Sequence, residues 1–444
     1  MLKIFKINIY KGSKQVKSVK IGIIGFGTVG GGVASNLLRN GDVIAKRIGI
    51  KLELAKIADL DITSDRGVAV PDGVLTTSVD ELINEVDVVV ELIGGITIAK
   101  KFILQALNMG KPVVTANKAL LATAGEELFA AAEKSGADIY YEASVAGGIP
   151  VIKALREGLV ANRINRIYGI MNGTCNYILT RMENEGVDFA TVLADAQRLG
   201  YAEAEPSLDI DGFDTAHKCA ILGSLAYGQW FGMEPIFVEG IRGIALEDIR
   251  YADELGYRIK LLAIIKQING DVQLRVHPTM INKETLLANI SGVFNGVMID
   301  GDTVDKTIFY GRGAGRDATA SAVVADLADV ALNLKCGSHR RVPAFRSGRQ
   351  YNALMKIADI SSRYYLRISV SDEPGVVGQI ATILGNNGIS ISSFIQREER
   401  ADGKVPLLIV THEAQEKEIR AAIASIEQLK VVAGKVTLLR IEDI

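Results

Sequence analysis

Cysteine is scarce in this chain, with three in 444 residues. Cys175, Cys219 and Cys336 are odd in number and far apart, which argues against a disulfide framework or a cysteine-rich zinc cluster and fits a reducing, cytoplasmic setting. Histidine is equally thin: His217, His277, His339 and His412 stand singly, so no His-rich metal site is expected. No run approaches the roughly 18 apolar residues needed to cross a bilayer. The basic stretch at residues 1–18 lacks the apolar centre of a secretory signal and reads as a dispensable N-terminal extension. An excess of either charge is missing too. The chain has 50 Lys and Arg against 52 Asp and Glu, a formal charge of −2. Such a balance gives no electrostatic reason to bind nucleic acid or an acidic membrane.

What the chain does have is a globular composition, 48% hydrophobic and 23% charged, over a length that implies roughly two to four domains. Residues 19–150 alternate apolar runs with amphipathic stretches. Strands are expected at 19–24, 51–58, 86–92 and 112–116, with helices between them, and this predicts an α/β, doubly wound (Rossmann) nucleotide-binding domain. Residues 151–316 read as an α+β domain, with helices at 177–185, 189–199 and 214–227 and strands at 260–268, 272–276, 292–299 and 305–310. A long helix at 317–334 is expected to return to the first domain. Residues 335–363 read as a linker whose arginines (Arg340, Arg341, Arg346, Arg349) fit a solvated surface. Residues 364–444 follow a βαββαβ order, the ferredoxin-like arrangement.

Chemistry concentrates in a few segments. Gly25-Phe26-Gly27-Thr28-Val29-Gly30 joins the first strand to the first helix. Its glycines allow a tight turn, approach of a pyrophosphate to the backbone, and close helix–strand packing, and the helix N-terminus offers free N–H groups. Asp59 and Asp61 end the second strand, where an acid would meet the adenosine ribose and favour NAD. Spacing does not choose between them. Lys118 follows the fourth strand, at the ligand-binding end of such a sheet. In Gly200 to Lys218, the acids Glu203, Glu205, Asp209, Asp211 and Asp214 crowd a loop leading into a helix. Asp214 and Lys218, four apart, share a helix face. This cluster can recognise an ammonium group, or be an acidic loop with an ordinary ion pair. Tyr141 to Pro150, with Glu142 as its one acid, reads on spacing as a structural turn.

Six motifs, GFGTVG, ANKALLA, YEASVAGGIP, NGTCNYIL, GYAEAEP and DGFDTAHK, resemble in order and spacing those of homoserine dehydrogenases. Asp372 to Gly378 and Leu384 to Ser390 resemble an ACT domain, as in the bacterial form of that family. The resemblance implies interconversion of L-homoserine and L-aspartate 4-semialdehyde with NAD or NADP, in threonine, methionine and isoleucine biosynthesis. It implies Lys218 as the proton-transfer group, with Lys118 near substrate and nicotinamide. Glu203 and Asp214 would bind homoserine, with Asp209 in the same cluster. Gly200 and Gly315 would contact the cofactor through the backbone. Glu142, Val145, Gly147 and Ile149 would hold a monovalent cation, Na or K, which replaces the structural reading of that loop. It further implies a substrate-binding and dimerisation role for the second domain, L-threonine as effector at the ACT domain, and a homodimer or homotetramer. Leu60 stands where many members carry an Arg suited to NADP, so NAD is expected to be at least accepted. Two rival readings stand beside this one. An aspartate-semialdehyde dehydrogenase-like enzyme needs an activated thiol, for which Cys175 is the one candidate. A non-catalytic amino-acid sensor would have no use for the retained lysines and acids.

Overall fold

The computed structural model describes residues 17–338, 341–396 and 404–444. The expected N-terminal extension, apart from its last two residues, and Arg340 of the expected linker lie outside the described residues. The chain divides into two compact units. One runs to Val160 and resumes over Ala314–Ser347; the other comprises Ala161–Gly313 and Gly348–Ile444. The first break falls at Val160, where composition had placed it near Pro150, and the 335–363 segment is shared between the units.

The first unit contains a wholly parallel sheet of β1 (Ser18–Ile24), β2 (Lys51–Ala58), β3 (Leu75–Thr76), β4 (Val88–Glu91), β5 (Val113–Thr115) and β6 (Ile139–Tyr140). Their order is β3-β2-β1-β4-β5-β6. The order reverses direction between β1 and β4, the switch point outside which such sheets bind ligands. The central strands β1, β4 and β5 are largely apolar because both faces are covered: Ile21, Ile23, Val88, Val90 and Val114 are fully buried. The Arg316–Cys336 helix belongs to this unit, and its Ala320, Val323 and Leu327 share one core with Val33 and Leu37 of the Thr28–Ile48 helix.

The second unit is built on β7 (Ile164–Ile170), β8 (Phe237–Val238), β9 (Tyr257–Ile268), β10 (Asp271–Asn282), β11 (Phe294–Gly301), β12 (Asp305–Arg312), β13 (Ser361–Ser371), β14 (Ile391–Gln396), β15 (Lys404–Thr411), β16 (Ala414–Gln415) and β17 (Val432–Glu442). The main path is β12-β11-β7-β9-β10-β17-β13-β15-β14. The last four strands, with the Val376–Asn386 and Glu416–Ile426 helices, make the ferredoxin-like βαββαβ unit. It was expected to stand apart behind a linker. Instead β17 pairs in parallel with β10, Thr279 opposite Arg440 and Ile281 opposite Glu442, so one sheet runs through both parts. Both strands would otherwise be edges with unpaired N–H and C=O groups. β7, which the sequence reading missed, lies between β9 and β11 near the centre of the other half.

Candidate active site

In the first unit, β1 delivers the chain into the glycine-rich turn. Gly25 has φ +102°, and a Cβ on Gly30 would lie 2.0 Å from the Gly25 carbonyl oxygen. The turn and the helix start therefore touch backbone to backbone, which only glycine permits. Gly27 caps the Thr28–Ile48 helix without a side-chain hydrogen bond, and a Cβ built on it meets nothing within 4 Å. That leaves open space beside a helix N-terminus, the setting for a dinucleotide pyrophosphate. Asp59 braces this turn: its carboxylate accepts the Phe26 N–H at 2.5 Å and the Asp61 N–H at 2.9 Å. Asp61 instead folds on its own loop, accepting from Thr63, Ser64 and Arg66. These bonds, that to Ser64 first, hold its carboxyl well below the usual range. The structure thus separates the two acids that spacing could not.

Lys118 opens the Lys118–Ser135 helix after β5, half-buried, and Asn117 caps that helix through the Leu120 N–H at 3.1 Å. Beside it, Glu91 at the end of β4 is fully buried and accepts from the Thr115 hydroxyl at 2.7 Å and the Ile93 N–H at 3.0 Å. Burial pushes its carboxyl up. Gly315, exposed at φ +118°, caps the Arg316–Cys336 helix in the same unit.

In the second unit, the Phe213–Tyr227 helix carries Asp214 and Lys218 one turn apart. The Lys218 ammonium donates to Asp214 Oδ2 at 2.7 Å and to the Met171 carbonyl at 2.5 Å, and both side chains are almost entirely buried. The Asn172 amide donates to the same Asp214 oxygen at 2.8 Å and to Asp209 Oδ1 at 2.7 Å. Its own oxygen caps the Gly173–Glu185 helix through the Cys175 N–H at 2.8 Å. The Thr174 hydroxyl lies 2.7 Å from the Tyr201 carbonyl and 3.2 Å from Asp209 Oδ2. Burial, and then the Asp214 charge, push the Asp209 carboxyl up. Glu203 is exposed, and its backbone carbonyl accepts from Gln197. Gly200 is exposed in a turn at φ +76°. Cys175 is fully buried with Sγ on the Asp209 carbonyl, and burial first, then Asp209 and Asp214, raise its thiol well above normal. A thiol so placed is the reverse of an activated nucleophile.

A profile described as homoserine dehydrogenase matches residues 150–328. One described as the homoserine dehydrogenase NAD binding domain matches 25–142, and one for the ACT domain matches 364–430. The chain is 48% identical to the homoserine dehydrogenase of Pseudomonas aeruginosa over 97% of its own length and all of that protein. The chain belongs to the homoserine dehydrogenase family. A homoserine dehydrogenase crystal structure from Thiobacillus denitrificans superposes with a TM-score of 0.91 at 45% identity, covering 96% of this chain and 99% of that one. A hyperthermophilic archaeal homoserine dehydrogenase in complex with NADPH matches with a TM-score of 0.59 at 29% identity, over 71% of this chain and 98% of that one. As a homoserine dehydrogenase the chain is an NAD(P)-dependent oxidoreductase, with a dinucleotide-binding domain and a C-terminal ACT domain.

For a homoserine dehydrogenase, the sequence reading named Lys218, Asp214 and Asp209, and the fold brings these three together. It missed Asn172, which ties the two aspartates to each other, and Glu91. The signal for Asn172 was its place ahead of Gly173-Thr174, an N-cap signature. The loop from Glu142 to Ile149 has two successive left-handed residues, Ala146 at φ +54° and Gly147 at φ +51°. A non-glycine residue held so is a strained backbone of the kind that binding loops carry. The Glu142 carboxylate accepts the Ile152 and Lys153 N–H groups at 2.9 and 2.7 Å, and burial pushes it up to about 7. Among the described residues no group of three His, Cys, Asp or Glu could hold a metal.

Proposed function

We propose that this protein oxidises L-homoserine to L-aspartate 4-semialdehyde with NAD(P) and runs the reverse reduction, within threonine, methionine and isoleucine biosynthesis in the cytoplasm. The buried Lys218–Asp214–Asn172–Asp209 cluster carries this reading. A bound nicotinamide supplies the hydride acceptor, and Gly25 to Gly30 hold its pyrophosphate, with Lys118 and the Gly200 and Gly315 backbones as further contacts. Lys218, as the free amine, takes the hydroxyl proton as the carbonyl forms and returns it in reduction. Oxidation of the alcohol releases a proton, so it gains as pH rises. Asp214 orients the amine, and Asp209 and Glu203 receive the substrate ammonium. The test is reduced nicotinamide formation at 340 nm with L-homoserine, on NAD and on NADP. No signal with either cofactor at alkaline pH would end this reading.

Leu60, at the position where an Arg would meet a 2′-phosphate, is 95% exposed beyond Asp59, and this supports NAD being accepted. A kcat/KM ratio above about a hundred in favour of NADP would overturn that point. Glu142, Val145, Gly147 and Ile149 are proposed to hold Na or K, tested by replacing both with choline. We further assign dinucleotide binding to residues 19–150, substrate binding and dimerisation to 151–316, and regulation by L-threonine at the Asp372 to Gly378 turn to 364–444. A homodimer or homotetramer is proposed, to be read by light scattering. Among the described residues no helix is long and apolar enough to cross a membrane.

A further inference from the structure

An open cleft of about 450 Å³ in the second unit is lined on one side by Asp211, Glu239 and Arg242 and on the other by Arg420, Lys435 and Thr437. It carries both signs of charge. Arg242 grips Asp211 through two bonds of 2.5 and 3.1 Å, both groups partly exposed. Glu239 Oε2 lies 3.1 Å from Arg440 Nη1 and 4.0 Å from the Arg420 guanidinium. Arg420 also meets Glu416 at 2.9 Å, and Lys435 reaches Glu427 at 2.7 Å while 88% exposed.

The floor of this cleft is fastened to the Lys218 cluster. A Cβ on Gly240 would lie 2.2 Å from the Ile210 carbonyl oxygen and 2.4 Å from Asp211 Cα, so the two segments touch backbone to backbone. The Ile241 N–H donates to that same Ile210 carbonyl at 2.8 Å, and the Glu239 N–H to the Val276 carbonyl on β10 at 2.8 Å. Ile210 and Asp211 stand in the chain between Asp209 and Asp214, both bonded to Asn172. Through Arg440 on β17, Glu239 links this corner to the C-terminal part of the sheet.

We propose that the cleft is an allosteric site for a small zwitterion, an α-amino acid, separate from the Asp372 to Gly378 turn. Its carboxylate pairs with Arg420 and Lys435, and its ammonium with Asp211 and Glu239. Occupancy competes with the Arg242–Asp211 pair, which opens readily because both groups are partly exposed. It thereby displaces the Asp209 to Asp214 corner, on which Lys218 depends. A ligand shifts activity only as far as it binds the two corner positions unequally. The inference rests on the C-terminal part being regulatory.

The test is hydrogen–deuterium exchange of the full chain without substrates, so it does not depend on turnover. Each common L-amino acid, L-threonine first, is compared with inorganic phosphate as an anion lacking the ammonium. At saturation one or more amino acids slow exchange about fivefold or more at both 238–244 and 435–439, and phosphate does not. Lys435→Gln raises the half-saturating concentration about tenfold, Arg242→Gln, which frees Asp211, lowers it, and Asp372→Asn leaves it unchanged. Protection confined to 372–378, equal protection by phosphate, or no protection by any probe overturns the site. Loss of homoserine oxidation with protection intact would instead count against the proposed reaction.

Discussion

At the scale of single residues, Lys218 has two duties that one substitution should expose together. Lys218→Ala removes the proton-transfer amine, and kcat should fall roughly 10² to 10⁴-fold, while dinucleotide affinity by fluorescence titration stays within about twofold. It also takes away the cation paired with Asp214, a buried carboxylate, at a cost of about 3–5 kcal/mol. The melting temperature should therefore drop with the rate. A variant that melts lower but turns over normally would move the proton role to Lys118. Asn172 gives a sharper contrast. Asn172→Ala loses the helix cap, worth about 1 kcal/mol, and the bridge between Asp209 and Asp214. Asn172→Asp keeps a capping oxygen but adds a third negative charge to a buried pair. We expect melting temperatures in the order wild type, Asn172→Ala, Asn172→Asp, and a raised KM for homoserine in both. The reverse order for the two variants would show that the cap, and not the bridge, is what Asn172 provides. Lys218 and Asp214 were legible because helical spacing alone makes them neighbours. Asn172 was not, because its partners lie 37 and 42 positions away in the chain.

At the scale of elements, the join of β1 to the Thr28–Ile48 helix is the most demanding contact. Gly30→Ala puts a methyl 2.0 Å from the Gly25 carbonyl oxygen, and overpacking of this kind costs about 1–3 kcal/mol. The turn must shift to relieve it, so dinucleotide binding should weaken about tenfold or more. Unchanged binding in a fluorescence titration would mean that the turn does not hold the pyrophosphate. β2, with its alternation of apolar and charged residues, was legible to the residue. β7 was missed because Asn165 and Arg166 interrupt its apolar pattern, although five of its seven residues are buried. β10 was read five residues long and runs for twelve, because Gln273, Arg275, His277 and Thr279 look like solvent-facing residues and are buried.

At the scale of the whole second unit, those buried polar residues have one explanation. Glu442 on β17 accepts from Arg275, from Lys266 at 2.5 Å and from the Tyr168 hydroxyl at 3.2 Å. His277 sits 2.8 Å from Arg275, and burial first, then Arg440 and Arg275, hold its ring neutral. Burial alone would push the Glu442 carboxyl up, but Arg275 and Lys266 outweigh it and bring it down to about 2. A carboxyl so lowered stabilises the fold fully above its unfolded value of about 4.3. That contribution is lost as pH falls from there through about 2. Thermal melts of Glu442→Gln should be lower than wild type at pH 7 by the equivalent of about 3–5 kcal/mol. The gap should narrow below about pH 4. A gap constant with pH would show that packing, and not charge, joins β17 to β10.

The sequence by itself determined the family, the doubly wound and ferredoxin-like patterns, and the lysine and aspartate on one helix face, since motif order and local periodicity need no knowledge of distant partners. Only tertiary structure decided which acid braces the glycine-rich turn, that Asn172 ties two aspartates together, and that β17 continues the sheet through β10. Each of these depends on hydrogen bonds and charges from segments far apart in the chain, whose meeting no local pattern encodes.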